Sequence, residues 1–110
     1  MADMLLGLDL GTTSAKGVLL RVDGQVVAEA SSTPYPIAQL KPGWAEQNPE
    51  DWWQAACDVI RELCAQVEGG ERIAGVAISG QGCACTLVDE QGTVLRPAII
   101  WMDTRATAET

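Results

Sequence analysis

Apolar residues fill nearly every position from Met4 to Leu10, and Asp9 is the one charge among them. A run of that kind suits a strand covered on both faces and placed centrally in a sheet. A second run, Lys16 to Val22, ends on Asp23-Gly24, a dipeptide that favours a tight hairpin because both residues tolerate positive φ. Gln25 to Ser32 then returns as a third strand, so the opening predicts an antiparallel three-strand meander. Pro34, Pro36, Pro42 and Gly43 follow, removing backbone donors where a strand or helix would need them, and predict a loop.

Asn48-Pro49-Glu50-Asp51 has the form of a helix start, with Asn48 as cap, Pro49 in the first helical position and two carboxylates at the positive end of the dipole. Trp52, Ala56, Val59, Ile60, Leu63, Cys64 and Val67 then form one amphipathic stripe, and Gly69-Gly70 can supply the left-handed residue that ends it. Of the adjacent pair Trp52-Trp53, set about 100° apart on a helix, only Trp52 falls in the stripe, and Trp53 is expected nearer the surface or against another domain. Arg72 to Ser79 reads as a fourth strand, parallel to one of the first three, which makes the order β-β-β-α-β. Cys85 to Val88 and Val94 to Ile100, separated by Asp89-Glu90-Gln91-Gly92, predict a second hairpin with Pro97 at an edge or bulge. Asp103 or Thr104 is placed to cap a helix from Arg105 to Glu109, which the chain leaves before two turns are complete. On that ground the 110 residues are expected to be the front part of something longer.

Composition acts mainly by exclusion. Seven basic residues stand against 15 acidic ones, a net charge of −8, which repels phosphate backbones and anionic headgroups and argues against nucleic-acid or membrane partners. The chain has no histidine, so Ser-His-Asp and Cys-His catalysis and His-containing zinc sites are excluded within it. The N-terminus lacks a basic flank and no long apolar stretch follows, so neither a signal peptide nor a membrane span is expected. Hydrophobic residues make up 47% and charged residues 20%, ordinary globular values. Cys57 and Cys64 lie two helical turns apart, roughly 10 Å, too far to bridge. Cys83 and Cys85 sit two apart in a strand-like run, and two thiolates without further Cys or His cannot close a four-ligand site, so they read as small buried residues. Reduced cysteines point to the cytoplasm.

The chemistry concentrates in Asp9-Leu10-Gly11-Thr12-Thr13-Ser14-Ala15-Lys16. A carboxylate closes an apolar strand, and a glycine, three hydroxyls and a lysine follow in a tight turn. Glycine lets the backbone approach an anion, successive N–H groups make a concavity for it, and the carboxylate can hold Mg²⁺ through water. The segment is neither a Walker A loop nor a dinucleotide fingerprint, and it leads into a strand and not a helix. The bland alternative is a capped polar turn built from ordinary turn residues. A charge at the end of an apolar strand favours the phosphate site.

Met4 to Leu20 resembles the first phosphate-binding segment of the actin-like ATPase superfamily. Gly43 to Trp53, then Ile78-Ser79-Gly80-Gln81-Gly82, then Pro97 to Arg105 are similar in order and spacing to the FGGY carbohydrate kinases, most like their xylulokinase branch. The resemblance implies an α/β ribonuclease H-like (actin-like ATPase) lobe, with residues 1–110 forming the N-terminal part of the first domain and a second domain outside the chain. It implies transfer of the γ-phosphate of ATP to a sugar hydroxyl in the cleft between the two domains. By position, Asp9 matches the family's Mg-ATP carboxylate, and Gly11, Thr12, Thr13 and Lys16 match its phosphate loop. Gln81, Gly82 and Cys83 fall where the family reads its sugar, and Trp101 and Asp103 at a second stretch that reaches it. The family's catalytic aspartate lies beyond this chain. Xylulokinases commonly carry Met-His after the glutamine where this chain has Gly82-Cys83, so the sugar is a pentulose, another ketose, a polyol or a sugar acid. The resemblance also leaves room for a homodimer. Two other readings stay open at this stage: a non-catalytic regulatory or interaction protein that keeps the lobe, and, more remotely, a ribonuclease H-like nuclease using Asp9 as a metal ligand.

Overall fold

The computed structural model describes residues 3–68 and 72–109. Its first strand, β1 (Asp3–Leu10), buries Met4, Leu6 and Leu8 while Leu5 and Asp9 stay exposed. The run expected to be covered on both faces is thus covered on one. β2 (Ala15–Arg21) and β3 (Val26–Ser31) complete the antiparallel meander. The Asp23-Gly24 turn differs from the expected pair of positive-φ residues, because only Gly24 is left-handed, at φ 93°. Gly24 N–H donates to Arg21 O and Arg21 N–H to Gln25 O, and the β2–β3 register shifts between Leu19 and Leu20. This is the longer hairpin loop in which an ordinary turn is followed by one left-handed residue and a bulge.

β4 is only Glu46–Gln47. The helix α1 (Pro49–Ala65) starts as its sequence predicts, with the Asn48 side chain accepting from Glu50 N–H, proline in the first turn and Glu50 and Asp51 beside it. Its inward stripe is Ala55, Ala56, Val59 and Leu63, with Trp52, Ile60 and Val67 packed partly against it. Cys64, assigned to the stripe from spacing, is exposed, and Ala55 takes a buried place instead. Trp53 is 68% exposed, as its position relative to Trp52 requires. Gly69-Gly70, the expected helix terminator, lies outside the described residues.

β5 (Arg72–Gly80) adds parallel to β1, and the sheet order is β3-β2-β1-β5. α1 rests on β2 and β3 and reaches β1 at its margin. Gly17 lets it come close: a methyl group there would stand 2.5 Å from Val59 Cγ1 and 2.9 Å from Leu63 Cδ1. The register makes Val76 and Ile78 of β5 the neighbours of Leu6 and Leu8, yet both stay exposed because the helix does not extend over β5.

The expected second hairpin forms only as isolated bridges, Val88 with Val94 and Cys85 with Ile99. Its second half also pairs on its other edge, since β6 (Ala98–Ile99) runs antiparallel to β4 in a separate two-stranded sheet. Cys83 and Cys85 are exposed, contrary to the buried expectation, and Cys83 occupies a turn at φ 53° and not a strand. The expected terminal helix is one 3₁₀ turn, Arg105–Ala108, in which Thr104 makes no side-chain cap and Asp103 instead accepts from Arg105 N–H. No helix among the described residues is long and apolar enough to cross a membrane.

Candidate functional site: the Asp9 turn tied to a second polar turn

Asp9 pairs with Lys16 across β1 and β2 and with Ser79 across β1 and β5. Cross-strand partners share a sheet face, so Lys16, Asp9 and Ser79 form one polar row. Ser79 Oγ donates to Asp9 Oδ1 at 3.0 Å, fixing the carboxylate. A methyl group built on Gly11 would stand 3.8 Å from Asp9 Oδ2, so the second oxygen faces the turn. The row borders an open groove of about 430 Å³, lined also by Gly7, Gly17 and Glu29.

The turn between β1 and β2 is closed by Gly11 N–H donating to Ser14 O at 3.1 Å. No backbone acceptor among the described residues takes the N–H of Thr12, Thr13 or Ser14, which leaves three successive donors at the end of the Asp9 strand. The turn's other groups are held from outside. Tyr35 OH donates to Gly11 O, Tyr35 N–H donates to Thr13 O at 3.0 Å, and Ser32 Oγ accepts from Ala15 N–H. Burial, and after it the Asp9 carboxylate, hold the Tyr35 phenol above its ordinary pKa, which keeps it a proton donor.

A second turn carries Gln81, Gly82 and Cys83. Gln81 N–H donates to Leu10 O, so this turn leaves the sheet beside the turn after β1. Gln81 borders a cavity of about 290 Å³ with Leu10, Trp52 and Ile78. Its Oε1 is buried and has no hydrogen-bond partner among the described residues. Gly82 is exposed, and no atom lies within 4 Å of a methyl group built there. Cys83 holds its left-handed φ without glycine's freedom, a strained backbone of the kind that occurs at ligand-facing turns.

Trp101 and Asp103 take different roles. Trp101 Nε1 donates to Thr12 Oγ1 at 2.8 Å, bringing this segment onto the turn after β1. Both carboxylate oxygens of Asp103 are committed: Oδ2 accepts from Ala45 N–H at 2.7 Å and Arg105 forks onto both oxygens. The Arg105 guanidinium, and the backbone N–H groups of Ala45 and Arg105, hold the Asp103 carboxyl well below the usual carboxylate range. Asp103 therefore anchors the fold beside the site.

Sequence reasoning missed the groups that join these parts. Glu46 is buried and receives both Arg96 and Arg105, and Arg105 stacks 3.8 Å over the Trp44 ring. Gln47, 2% exposed, donates from Nε2 to Thr12 O at 2.7 Å. Its Oε1 accepts from Trp52 Nε1 at 3.0 Å and from Gln81 Nε2 at 2.8 Å. Trp44, Glu46 and Gln47 lie in the Gly43 to Trp53 segment that carries the resemblance, but nothing local in that segment gives their side chains a role.

A meander with a parallel fourth strand, one helix across it and a turn of glycine and hydroxyl residues after its first strand defines a ribonuclease H-like, actin-like lobe. The model of the FGGY family of carbohydrate kinases, N-terminal domain, matches residues 4–110, and the chain belongs to that family. It is 42% identical over 107 residues to a xylulose kinase of Bacillus subtilis, covering 96% of this chain and 21% of that one. Its fold superposes at a TM-score of 0.90 on the crystal structure of xylulose kinase from Rhodospirillum rubrum, at 39% identity, over 96% of this chain and 22% of the other. A gluconate kinase from Lactobacillus acidophilus matches with the same TM-score at 31% identity, over 99% of this chain and 22% of the other. The chain thus spans about a fifth of the length of the curated relatives it matches.

Proposed function

We propose that this chain is the N-terminal part of the first domain of a carbohydrate kinase that moves the γ-phosphate of ATP to a sugar hydroxyl. The observation that carries the reading is the Gln47 side chain, which binds a turn suited to phosphate and a turn suited to a polyhydroxyl ligand into one rigid unit. Phosphoryl transfer asks for positioning and charge neutralisation more than covalent chemistry, and such a unit supplies the positioning.

The residues fit Mg-ATP. Asp9 offers an exposed carboxylate held on one oxygen by Ser79, and Thr12, Thr13 and Ser14 offer unused backbone donors. Lys16 stands on the same face as Asp9 and adds a positive charge. In this reading Asp9 holds the metal, while Gly11, Thr12, Thr13 and Lys16 hold the phosphates. Mg²⁺, when bound, neutralises charge on the transferring phosphoryl group. Gln81, Gly82 and Cys83 line the sugar side, Trp101 orients Thr12 between the two, and Asp103 supports the sugar side through the Ala45 and Arg105 contacts. The proton acceptor for the sugar hydroxyl lies outside this chain.

The open space at Gly82 supports a ketose, polyol or sugar acid, with pentuloses first because xylulose kinases head the relatives. Four free cysteines support a cytoplasmic location. Small-molecule partners alone are required, with a homodimer compatible. ATP consumption by the full-length protein, measured across pentuloses, hexuloses, polyols and aldonic acids, tests the reading. Turnover that requires both Mg²⁺ and one of these substrates supports it, and none with any of them refutes it.

A further inference from the structure

We propose that Gln47 is a positioning residue that fixes which end of the Gln81 side-chain amide is left to face a ligand. The identity of that ligand as a polyhydroxyl compound rests on the carbohydrate kinase reading, whereas the hydrogen-bond chain itself does not.

A backbone carbonyl only accepts hydrogen bonds and an indole N–H only donates them. Gln47 meets one of each: Thr12 O lies 2.7 Å from its Nε2, and Trp52 Nε1 lies 3.0 Å from its Oε1. Flipping the amide would set oxygen against oxygen at Thr12 and N–H against N–H at Trp52, so one orientation is selected. Gln47 Oε1 then faces Gln81 at 2.8 Å and accepts a donor there. Gln81 must present its NH₂ group to Gln47, and its Oε1 is turned away, buried and unpartnered among the described residues. A buried acceptor calls for a donor, and a hydroxyl of a bound polyol or sugar is one of matching polarity.

Gln47 is well placed to impose this order. It is buried, it pairs with Ala98 across β4 and β6, and its neighbour Glu46 is gripped by Arg96 and Arg105. Its partners lie 35 residues upstream and 34 downstream, so one rigid side chain holds two turns that are remote in sequence. Without it, neither end of the Gln81 amide is selected, and one of its two orientations offers a donor where an acceptor is needed.

The test uses the full-length protein. In side-chain amide hydrogen exchange by NMR, the wild type is expected to show one Gln81 side-chain N–H exchanging at least tenfold more slowly than exposed glutamine amides. Gln47→Met is expected to abolish that protection. In turnover assays Gln47→Met and Gln81→Met should each raise the sugar KM about tenfold with a smaller change in kcat, and the double variant should be no worse than the single ones, because both remove one arrangement. A merely structural role for Gln47 would instead give effects that multiply. Fast exchange at Gln81 in the wild type, or multiplying effects on the sugar KM, overturns the proposal. If the wild type phosphorylates no sugar, the carbohydrate kinase reading fails, while the exchange measurement still decides the role of Gln47.

Discussion

The indole N–H of Trp101 donates to the hydroxyl of Thr12 at 2.8 Å, across 89 positions of sequence. The contact makes the segment after β6 a support for the Asp9 turn, and it uses the Thr12 oxygen as acceptor, which leaves the hydroxyl proton without an acceptor among the described residues. A hydrogen bond of this kind contributes about 0.5–1.5 kcal/mol net. Trp101→Phe, which keeps the ring and removes the donor, should raise the KM for ATP about two- to tenfold in the full-length enzyme. Steady-state kinetics with ATP varied at saturating sugar check it, and an unchanged KM would detach Trp101 from the nucleotide side.

Cys83 holds φ at 53°, where an L-residue is strained by about 1 kcal/mol relative to glycine. Cys83→Gly should therefore stabilise the protein by about that amount in urea unfolding. Gly82 has open space around it, so Gly82→Met should leave stability within about 0.5 kcal/mol and act on the ligand instead. A substrate panel should show altered sugar preference for Gly82→Met with little change in the KM for ATP. The opposite split would mean that the two subsites are reversed.

Asp103 titrates below the usual carboxylate range because Arg105 and two backbone N–H groups favour its ionised form. A carboxyl whose pKa is depressed on folding contributes stability above its unfolded value, about 3.9, and loses it as pH falls through the folded value. Asp103→Asn should thus be less stable than the wild type at pH 7, and the difference should narrow as the pH drops below about 4. Urea midpoints of both proteins at pH 7, 5, 4 and 3 measure it. A gap that stays constant over that range would contradict the ion-pair account.

The helix seat can be probed from both sides. Leu63 is fully buried, and Leu63→Ala should cost about 2–5 kcal/mol. Gly17→Ala forces a methyl against Val59 and Leu63 and should cost about 1–3 kcal/mol by overpacking. Denaturant unfolding reads both, and a neutral Gly17→Ala would show that α1 can lift from β2.

What the sequence made legible was local. Asn48, Pro49 and the two acids announce a helix start through contacts within four residues, and the Asp9 turn sits where one apolar run ends and the next begins. The row of Lys16, Asp9 and Ser79 follows once those strands pair. The joints were not legible, because each depends on partners far along the chain. Gln47 earns its role from Thr12, Trp52 and Gln81, and Glu46 from Arg96 and Arg105. β4 and β6, two residues each, carry no periodicity to read. The hairpin from Cys85 to Ile100 keeps its bridges of Val88 with Val94 and Cys85 with Ile99, and what no local pattern announced is that Ala98 and Ile99 pair on their other edge with β4. Cys83 and Cys85 looked like core because small apolar residues usually are, yet the turn exposes them.

The central claim is that Asp9 serves phosphoryl transfer at the end of β1. Asp9→Asn removes one charge and almost no volume, and Ser79 can still donate to the remaining carbonyl oxygen, so the fold should hold. Turnover of the full-length enzyme at saturating Mg-ATP and sugar should fall at least about a hundredfold, beyond the loss typical of an outer support to a metal site, while the melting temperature stays close to the wild type. Undiminished turnover of a folded Asp9→Asn enzyme would contradict the assignment of this strand end as the phosphate site.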